Sequence, residues 1–155
     1  MNRRWKIVTW LTIQATEISG FVLRERNWKY RVEDYKKMKV GSLGWKYHKL
    51  VLSGTIQFKA NLIKHDMKHI ILGYDMTIKN ELNIVAFLLG NKSANKVSTL
   101  YLITCLLFVP EYFTKLRKHY KRGQIAHRIK DYNLSNFVEM DLKSIQKTLN
   151  IPEFK

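Results

Sequence analysis

Residues that typically begin or end helices recur along this sequence. Few stretches show the alternation of apolar and polar residues that is typical of a β-strand. Only two prolines and seven glycines interrupt the 155 residues. Ser42 can cap a helix that runs from Leu43, and Gly73 follows a helical stretch as a C-terminal stop. Thr77 is a second candidate cap, and Pro110 either kinks a helix or begins one. This pattern predicts an all-α fold.

Helical spacing gives approximate bounds for the individual helices. In the first twenty-odd residues Trp5, Val8, Leu11 and Ala15 lie on one side of a predicted amphipathic helix. The charged segment 28–38 is also predicted to be helical. Further helices are predicted from 43, over about 56–72, over about 78–89, from about 97 and over 141–149, with loops at 74–77 and 90–95 and a break at 121–123.

A chain of this length is most simply one compact helical domain over 1–155, because no linker, repeat or low-complexity stretch divides it. Cys105 lies in an apolar run and is expected to be a small buried hydrophobe. The start of the chain does not resemble a secretory signal. The longest apolar run, 100–110, is shorter than the about 20 residues that a membrane span needs. We therefore expect a soluble protein that can rest on a membrane.

The chain is strongly basic, with 28 Lys and Arg against 12 Asp and Glu and a formal net charge of +16. Such a balance favours an anionic partner, which could be nucleic acid, an acidic membrane or a charged small molecule. No zinc-finger spacing or RNA-binding sheet motif supports nucleic acid, and the basic residues are mixed with acidic ones. We expect no nucleic-acid partner.

The segment KHDMKH, 64–69, is the strongest candidate for a functional site. At about 100° per residue, His65 and His69 lie roughly 40° apart on a helix, and Asp66 projects into the same sector. If the helix before Gly73 and the helix after Thr77 pack as an antiparallel hairpin, Glu81 can reach the side chains of His65, Asp66 and His69. Two imidazoles and two carboxylates suit Zn²⁺, Fe²⁺ or Mn²⁺.

Two other interpretations of this segment remain open. A histidine pair on a lysine-rich helix is often a solvated face, and Asp66 could merely pair with Lys64, Lys68 or Lys37. The apolar residues around the motif argue against this, because an unligated polar cluster is costly to bury. The motif also resembles HExxH of zincin proteases, but the shorter Asp66 replaces the glutamate and no edge strand for a peptide is evident.

In this sequence an HDxxH motif is followed, after eleven residues, by a glutamate. This spacing resembles the signature of the Coq4 family of ubiquinone-biosynthesis proteins. The stretches VGSLGWKY at 40–47, ELNIVAFLLGNKS at 81–93 and the C-terminal part from 119 are also similar to that family. The resemblance extends over about 25–152. Trp45 and Gln146 depart from the residues expected of the family, but neither belongs to the motif.

The resemblance implies an all-α fold in which His65, Asp66, His69 and Glu81 hold one divalent metal ion, zinc or iron. It also implies a polyprenylated quinone precursor, a membrane surface and other quinone-biosynthesis enzymes as partners, with a homodimer as a further candidate. The implied reaction replaces the ring carboxyl at C1 by hydroxyl, an oxidative decarboxylation. Asp66 is the candidate catalytic residue, as orienter or proton acceptor.

An alternative to catalysis is a lipid-binding scaffold, in which four protein ligands close a structural metal site. The expected location is the cytoplasmic face of the cell membrane in a bacterium, or the matrix side of the mitochondrial inner membrane in a eukaryote. Arg3, Arg4 and Lys6 beside the apolar N-terminal face would suit an interfacial helix on anionic lipid. Packing of that face into the core is the other possibility.

Overall fold

Helices joined by short loops and 3-10 turns form the described part of the chain, which comprises residues 2–22, 28–59 and 61–153 of a computed structural model. For 19–22 the backbone alone is described. No β-strand forms within these ranges, so the predicted all-α fold is confirmed. The helices are α1 (Arg3–Val22), α2 (Val32–Lys36), α3 (Leu43–Leu52), α4 (Ile63–Leu72), α5 (Ile78–Gly90), α6 (Lys96–Phe108), α7 (Phe113–Ile125) and α8 (Leu142–Thr148).

Helix α5 lies at the centre of the fold. All seven residues of 82–88 are buried, as expected for a helix that is surrounded on every side. It packs most extensively against α7 and also contacts α6 and α1, while α4 contacts α3 and α8. The C-terminal region adds 3-10 turns at Ile129–Asp131 and Leu134–Phe137, each of which contributes buried apolar residues.

Several helix boundaries agree with the sequence. Ser42 caps α3, since its hydroxyl accepts a hydrogen bond from the Trp45 amide. Gly73 ends α4 at φ 72°, in the left-handed region that glycine adopts without strain. Pro110 begins a 3-10 turn that leads into α7 rather than kinking a continuous helix.

Other predicted boundaries are wrong. Helix α4 begins at Ile63 rather than near residue 56, and residue 60 lies outside the described part. Helix α2 covers only Val32–Lys36 of the predicted 28–38. The KRG segment 121–123 lies inside α7 and does not interrupt it. The sequence predicts a break at this glycine, but Gly123 lies within the helix, where it allows close packing against α5.

Gly90 and Gly123 let α5 and α7 approach each other closely. A Cβ on Gly90 would lie 2.0 Å from the Tyr120 carbonyl oxygen, and one on Gly123 would lie 2.0 Å from the Phe87 carbonyl oxygen. Neither carbonyl belongs to a side chain that could rotate away. The most extensive helix contact in the fold therefore depends on hydrogen atoms at both positions.

Two side chains fix the C-terminal end of α4, which carries His69 in its last turn. Gln146 of α8 donates from Nε2 to the Ile71 carbonyl at 2.9 Å. Buried Arg122 of α7 donates from Nη1 to the Leu72 carbonyl, also at 2.9 Å. These carbonyls have no partner within the helix, so both bonds satisfy groups that burial would otherwise penalise. Gln146, which differs from the residue expected in the Coq4 family, thus has a structural role.

The predicted apolar face of α1 packs into the protein. Val8 is fully buried, and Trp5, Leu11 and Ala15 pack against the core, so this face is not available to lipid. The exposed surface of α1 carries a second set of apolar side chains, which comprises Ile7, Trp10, Ile13 and Ile18.

Among the described helices, none alone has the length and apolar composition for a membrane span. Lys96–Phe108 and Pro110–Ile125 meet that requirement only as a pair, with a bend of 116° between them.

Replacing Gly123 by alanine should destabilise the protein by at least about 2 kcal/mol, because the added methyl overlaps the backbone of α5. In an exposed helix the same change would stabilise by up to about 1 kcal/mol. The control is Gln124→Ala at the next, exposed position of α7. Thermal unfolding followed by circular dichroism measures both, and an unchanged Tm in Gly123→Ala would contradict the close contact.

Candidate metal centre

Three of the four predicted ligands meet between α4 and α5. The His65 and His69 Nε2 atoms are 3.2 Å apart. Glu81 Oε1 lies 3.1 Å from His69 Nε2 and 3.4 Å from His65 Nε2. These side chains form a cluster of potential metal ligands within the described part of the chain. The hairpin at Gly73 therefore brings Glu81 to the histidine pair as the sequence predicted.

The dimensions of this triangle fit one small divalent ion. Ligand atoms on a tetrahedral zinc ion, each at about 2.05 Å, are about 3.3 Å from one another. The observed separations of 3.1 to 3.4 Å bracket that value. Two imidazoles and a carboxylate also suit Fe²⁺, which such a facial set binds with open positions. An ion held by these three protein ligands would keep coordination positions for water or substrate.

A backbone contact orients His69 for coordination. Its Nδ1 donates to the Asp75 carbonyl at 3.2 Å, which directs Nε2 towards His65 and Glu81. The His69 side chain is completely buried, Glu81 is 15% exposed and His65 is 34% exposed. The site is therefore enclosed at His69 and open to solvent at His65.

Asp75 also organises the start of α5. Its Oδ1 accepts hydrogen bonds from the Thr77 hydroxyl, at 2.7 Å, from the Thr77 amide and from Asn80 Nδ2. These hydrogen bonds hold the pKa of Asp75 below its usual range. Thr77 is the residue before α5, as predicted, but its side chain does not cap the helix. The carboxylate of Asp75 occupies that end instead.

The cluster favours a negatively charged Glu81 carboxylate beside a protonated imidazole. Burial opposes ionisation of Glu81, but hydrogen bonds from His65 and His69 hold its pKa far below the usual range. Burial likewise works against a charged His69, yet Glu81 and the Asp75 carbonyl raise its pKa. A metal ion held by these three side chains would take the place of the protons between them, so its binding would compete with protonation.

Asp66 lies beside the three ligands but outside their cluster. Burial raises the pKa of its carboxyl to about 6, although His65 and His69 act in the opposite direction. The Tyr47 hydroxyl is buried with no hydrogen-bond partner among the described residues, and burial together with the Asp66 charge raises its pKa. The proposed roles of Asp66, as ligand or catalytic residue, stay predictions.

A cavity of about 310 Å³ opens next to His65 and Glu81. Ile84, Val85 and Leu88 of α5 form part of its apolar wall, and α1 and α6 contribute further residues. Phe87 on the same helix and Leu102 on α6 do not line this cavity and are buried in the core.

A pair of hydroxyl groups borders the same cavity. Tyr101 and Thr12 approach to 2.7 Å, and Thr12 also bonds to the Val8 carbonyl at 2.8 Å. Because the single proton of Thr12 goes to that carbonyl, the Tyr101 hydroxyl donates to Thr12 and keeps acceptor capacity. No sequence pattern indicates this pair, since neither residue belongs to a motif.

Comparison with known proteins supports the fold. No protein-family model matches the chain, and no curated protein does. A crystal structure from Nostoc punctiforme PCC 73102, provisionally named a ubiquinone biosynthesis protein, superposes with a TM-score of 0.64 at 17% sequence identity. The match covers 94% of this chain and 82% of the other. The two proteins share a fold.

Metal content tests the site directly. We expect about one divalent ion per chain in protein purified without a histidine tag, and loss of most of it in His69→Ala and Glu81→Ala, because each removes one side of the triangle. His127→Ala, at an exposed histidine of the C-terminal region, should retain the metal. Plasma mass spectrometry measures all four proteins. Equal metal in wild type and both site variants would contradict the assignment.

Proposed function

We propose that this protein acts in ubiquinone biosynthesis as a Coq4-like, metal-dependent enzyme that replaces the C1 carboxyl of a polyprenylated ring by hydroxyl. The observation that carries the proposal is the triangle of His65, His69 and Glu81 beside an amphiphilic cavity. The Nostoc protein of the same fold bears a name from the same pathway, and the HDxxH…Glu spacing supports the family.

The chain's own residues suit a carboxylated aromatic substrate. His65 is the most exposed ligand and borders the cavity, so a ring carboxylate would enter from its side. Lys64 and Lys68 line the same cavity and add positive charge. The Tyr101 hydroxyl can accept a hydrogen bond from a ring hydroxyl, which would orient the ring. The apolar wall of α5 would hold the start of the prenyl chain.

A metal ion bound by the triangle would polarise the carboxylate and, if it is iron, could supply the O₂-dependent two-electron oxidation that accompanies loss of CO₂. Asp66 is suited to hold a proton next to this centre, because burial keeps its pKa close to neutrality. The neighbouring Tyr47 hydroxyl is a second polar group that could share that proton.

Membrane contact belongs to the same proposal. Helices α1 and α6 pack against each other, and both leave large apolar side chains exposed. Trp10 is 59% exposed on α1 and Leu107 is 76% exposed on α6. Arg3 and Lys6 are exposed beside them on α1, which suits anionic headgroups. This surface would let a prenylated precursor reach the cavity from the lipid, at the membrane location that the resemblance implies.

A scaffold that binds prenyl lipid without catalysis is the alternative. The apolar wall of the cavity favours it as much as it favours an enzyme. A scaffold would present quinone precursors to the other biosynthetic enzymes, either as a monomer or as a homodimer. The two functions differ in what the metal ligands do, so variants of those ligands separate them.

Complementation of a bacterial strain that lacks the C1 step tests the enzyme. His65→Ala and Glu81→Ala should abolish quinone production, and a precursor that keeps the ring carboxyl should accumulate. Asp66→Asn should keep the metal and lower conversion by about 100-fold or more, as expected for loss of a proton-transfer group. Mass spectrometry of lipid extracts gives the result, with His127→Ala as the control. Full quinone levels in the metal-free variants would refute catalysis at this site and favour the scaffold.

Vesicle binding tests the membrane surface. The double variant Trp10→Ser/Leu107→Ser should bind vesicles of anionic phosphatidylglycerol at least about tenfold more weakly, because it removes two large apolar contacts. Leu52→Ser, at an exposed position of α3, is the matched control. Co-sedimentation measures binding, and an equal loss in the double variant and the control would contradict this surface.

A further inference from the structure

A second cavity, also of about 310 Å³, lies on the far side of α5 from the metal centre. Asn83 lines it, and this residue is two positions after Glu81, which turns it about 200° around the helix. Tyr74, Tyr112 and His119 supply other parts of the wall. None of these residues lines the cavity at the metal centre.

The charge around this second cavity is positive. Lys115 and Lys118 of α7 line it and are exposed, and the buried Arg122 lies behind, with its guanidinium 5.4 Å from the centroid of the Tyr74 ring. None of the described lining residues is acidic. Asp75 approaches from the loop, where its carboxylate accepts a hydrogen bond from Asn80. A bound anion would therefore meet at least two positive charges.

The wall behind the lysines is polar and buried. Tyr74, Asn83, Tyr112 and His119 are 4 to 7% exposed, and hydrogen bonds connect them in two groups. Tyr112 donates to Asn83 Oδ1 at 3.3 Å, and Asn83 Nδ2 donates one hydrogen to Asn80 Oδ1 at 2.7 Å. Each amide NH₂ carries two hydrogens, so the second hydrogen of Asn83 can bond to another acceptor.

His119 adds a neutral donor to this wall. Its Nδ1 lies 2.9 Å from the Tyr74 hydroxyl, which also accepts a hydrogen bond from Arg122. The hydroxyl proton can then go to Nδ1, which leaves Nε2 as the nitrogen that carries hydrogen. Burial lowers the pKa of His119 to about 4, helped by the charges of Lys118 and Arg122, so the ring is neutral at pH 7.

We propose that this cavity is a binding site for a small phosphate-bearing anion, held by Lys115 and Lys118 at the rim and by Asn83 and His119 at the wall. The lysines act as point charges on the phosphate oxygens, and the amide and imidazole donate charge-assisted hydrogen bonds. The buried polar wall excludes a long apolar chain, which separates this ligand from the prenylated substrate proposed for the other side of α5.

Calorimetry with inorganic phosphate tests the site. Wild type should bind one phosphate per chain, and Lys115→Met/Lys118→Met should bind at least about tenfold more weakly, because it removes both rim charges. Lys143→Met/Lys147→Met, with the same loss of charge on exposed positions of α8, should bind as wild type does. Equal weakening in both double variants would mean that net charge alone attracts phosphate and would overturn the proposal, as would no saturable binding in wild type.

Two further variants keep this result independent of the metal centre and of the fold. Glu81→Ala should retain phosphate binding, because Glu81 faces the other cavity; loss of binding there would mean that phosphate sits on the metal and would overturn the proposal. Asn83→Asp changes few atoms and places a carboxylate at the wall, so it should abolish binding while circular dichroism shows an unchanged helix content. Retained affinity in Asn83→Asp would also overturn it.

A comparison of phosphate with glycerol 3-phosphate identifies the source of the anion. Tighter binding of the ester would mark a phosphorylated metabolite as the ligand, and binding of phosphate alone would mark the free ion. Either result supports a phosphate site. Failure of both ligands would overturn the site and leave the proposed function in ubiquinone biosynthesis untouched.

Discussion

The buried guanidinium of Arg122 holds together the parts of the fold on which the candidate metal centre depends. It donates to the carbonyls of Leu72 and Pro152, at 2.9 and 2.8 Å, and lies 5.4 Å from the ring centroids of both Tyr74 and Phe87. One side chain therefore connects the end of α4, the centre of α5, α7 and the C-terminal segment. Burying this charge is tolerated only because carbonyls and aromatic faces replace water around it. Without that contact the last turn of α4, which carries His69, would lose its fixed position.

The candidate metal centre follows from this framework and from one tight turn. Gly73 reverses the chain, α5 packs deep in the core, and Glu81 then faces His65 and His69 within hydrogen-bonding distance. The two broad faces of α5 differ in chemistry. One borders an apolar cavity beside the candidate metal ligands, and the other presents asparagine amides to a cavity whose imidazole and lysines come from α7. Because opposite faces of one buried helix border the two cavities, the ligands proposed for them would not compete for space.

The fold class and the metal triangle were predictable because each depends on local spacing. The HDxxH motif and the Gly73 and Thr77 boundaries place the two helices in a hairpin over 63–90, with all the candidate ligands within 65–81. What the sequence did not reveal depends on contacts between distant segments. Gly123 resembles a helix breaker until the Phe87 carbonyl is seen against it. The N-terminal apolar face is equally compatible with lipid and with the core, and only packing against α6 decides between them.

Asp75 contributes to the metal centre through its backbone and to α5 through its side chain. Any residue supplies a carbonyl, so replacing Asp75 would disturb the helix start and leave the group that orients His69 chemically intact. The length of the turn between Gly73 and Thr77 is a stricter requirement, because one added or missing residue would displace that carbonyl from Nδ1. Mutational scanning by substitution would therefore underestimate this loop, and only insertions and deletions would reveal how closely its length is set.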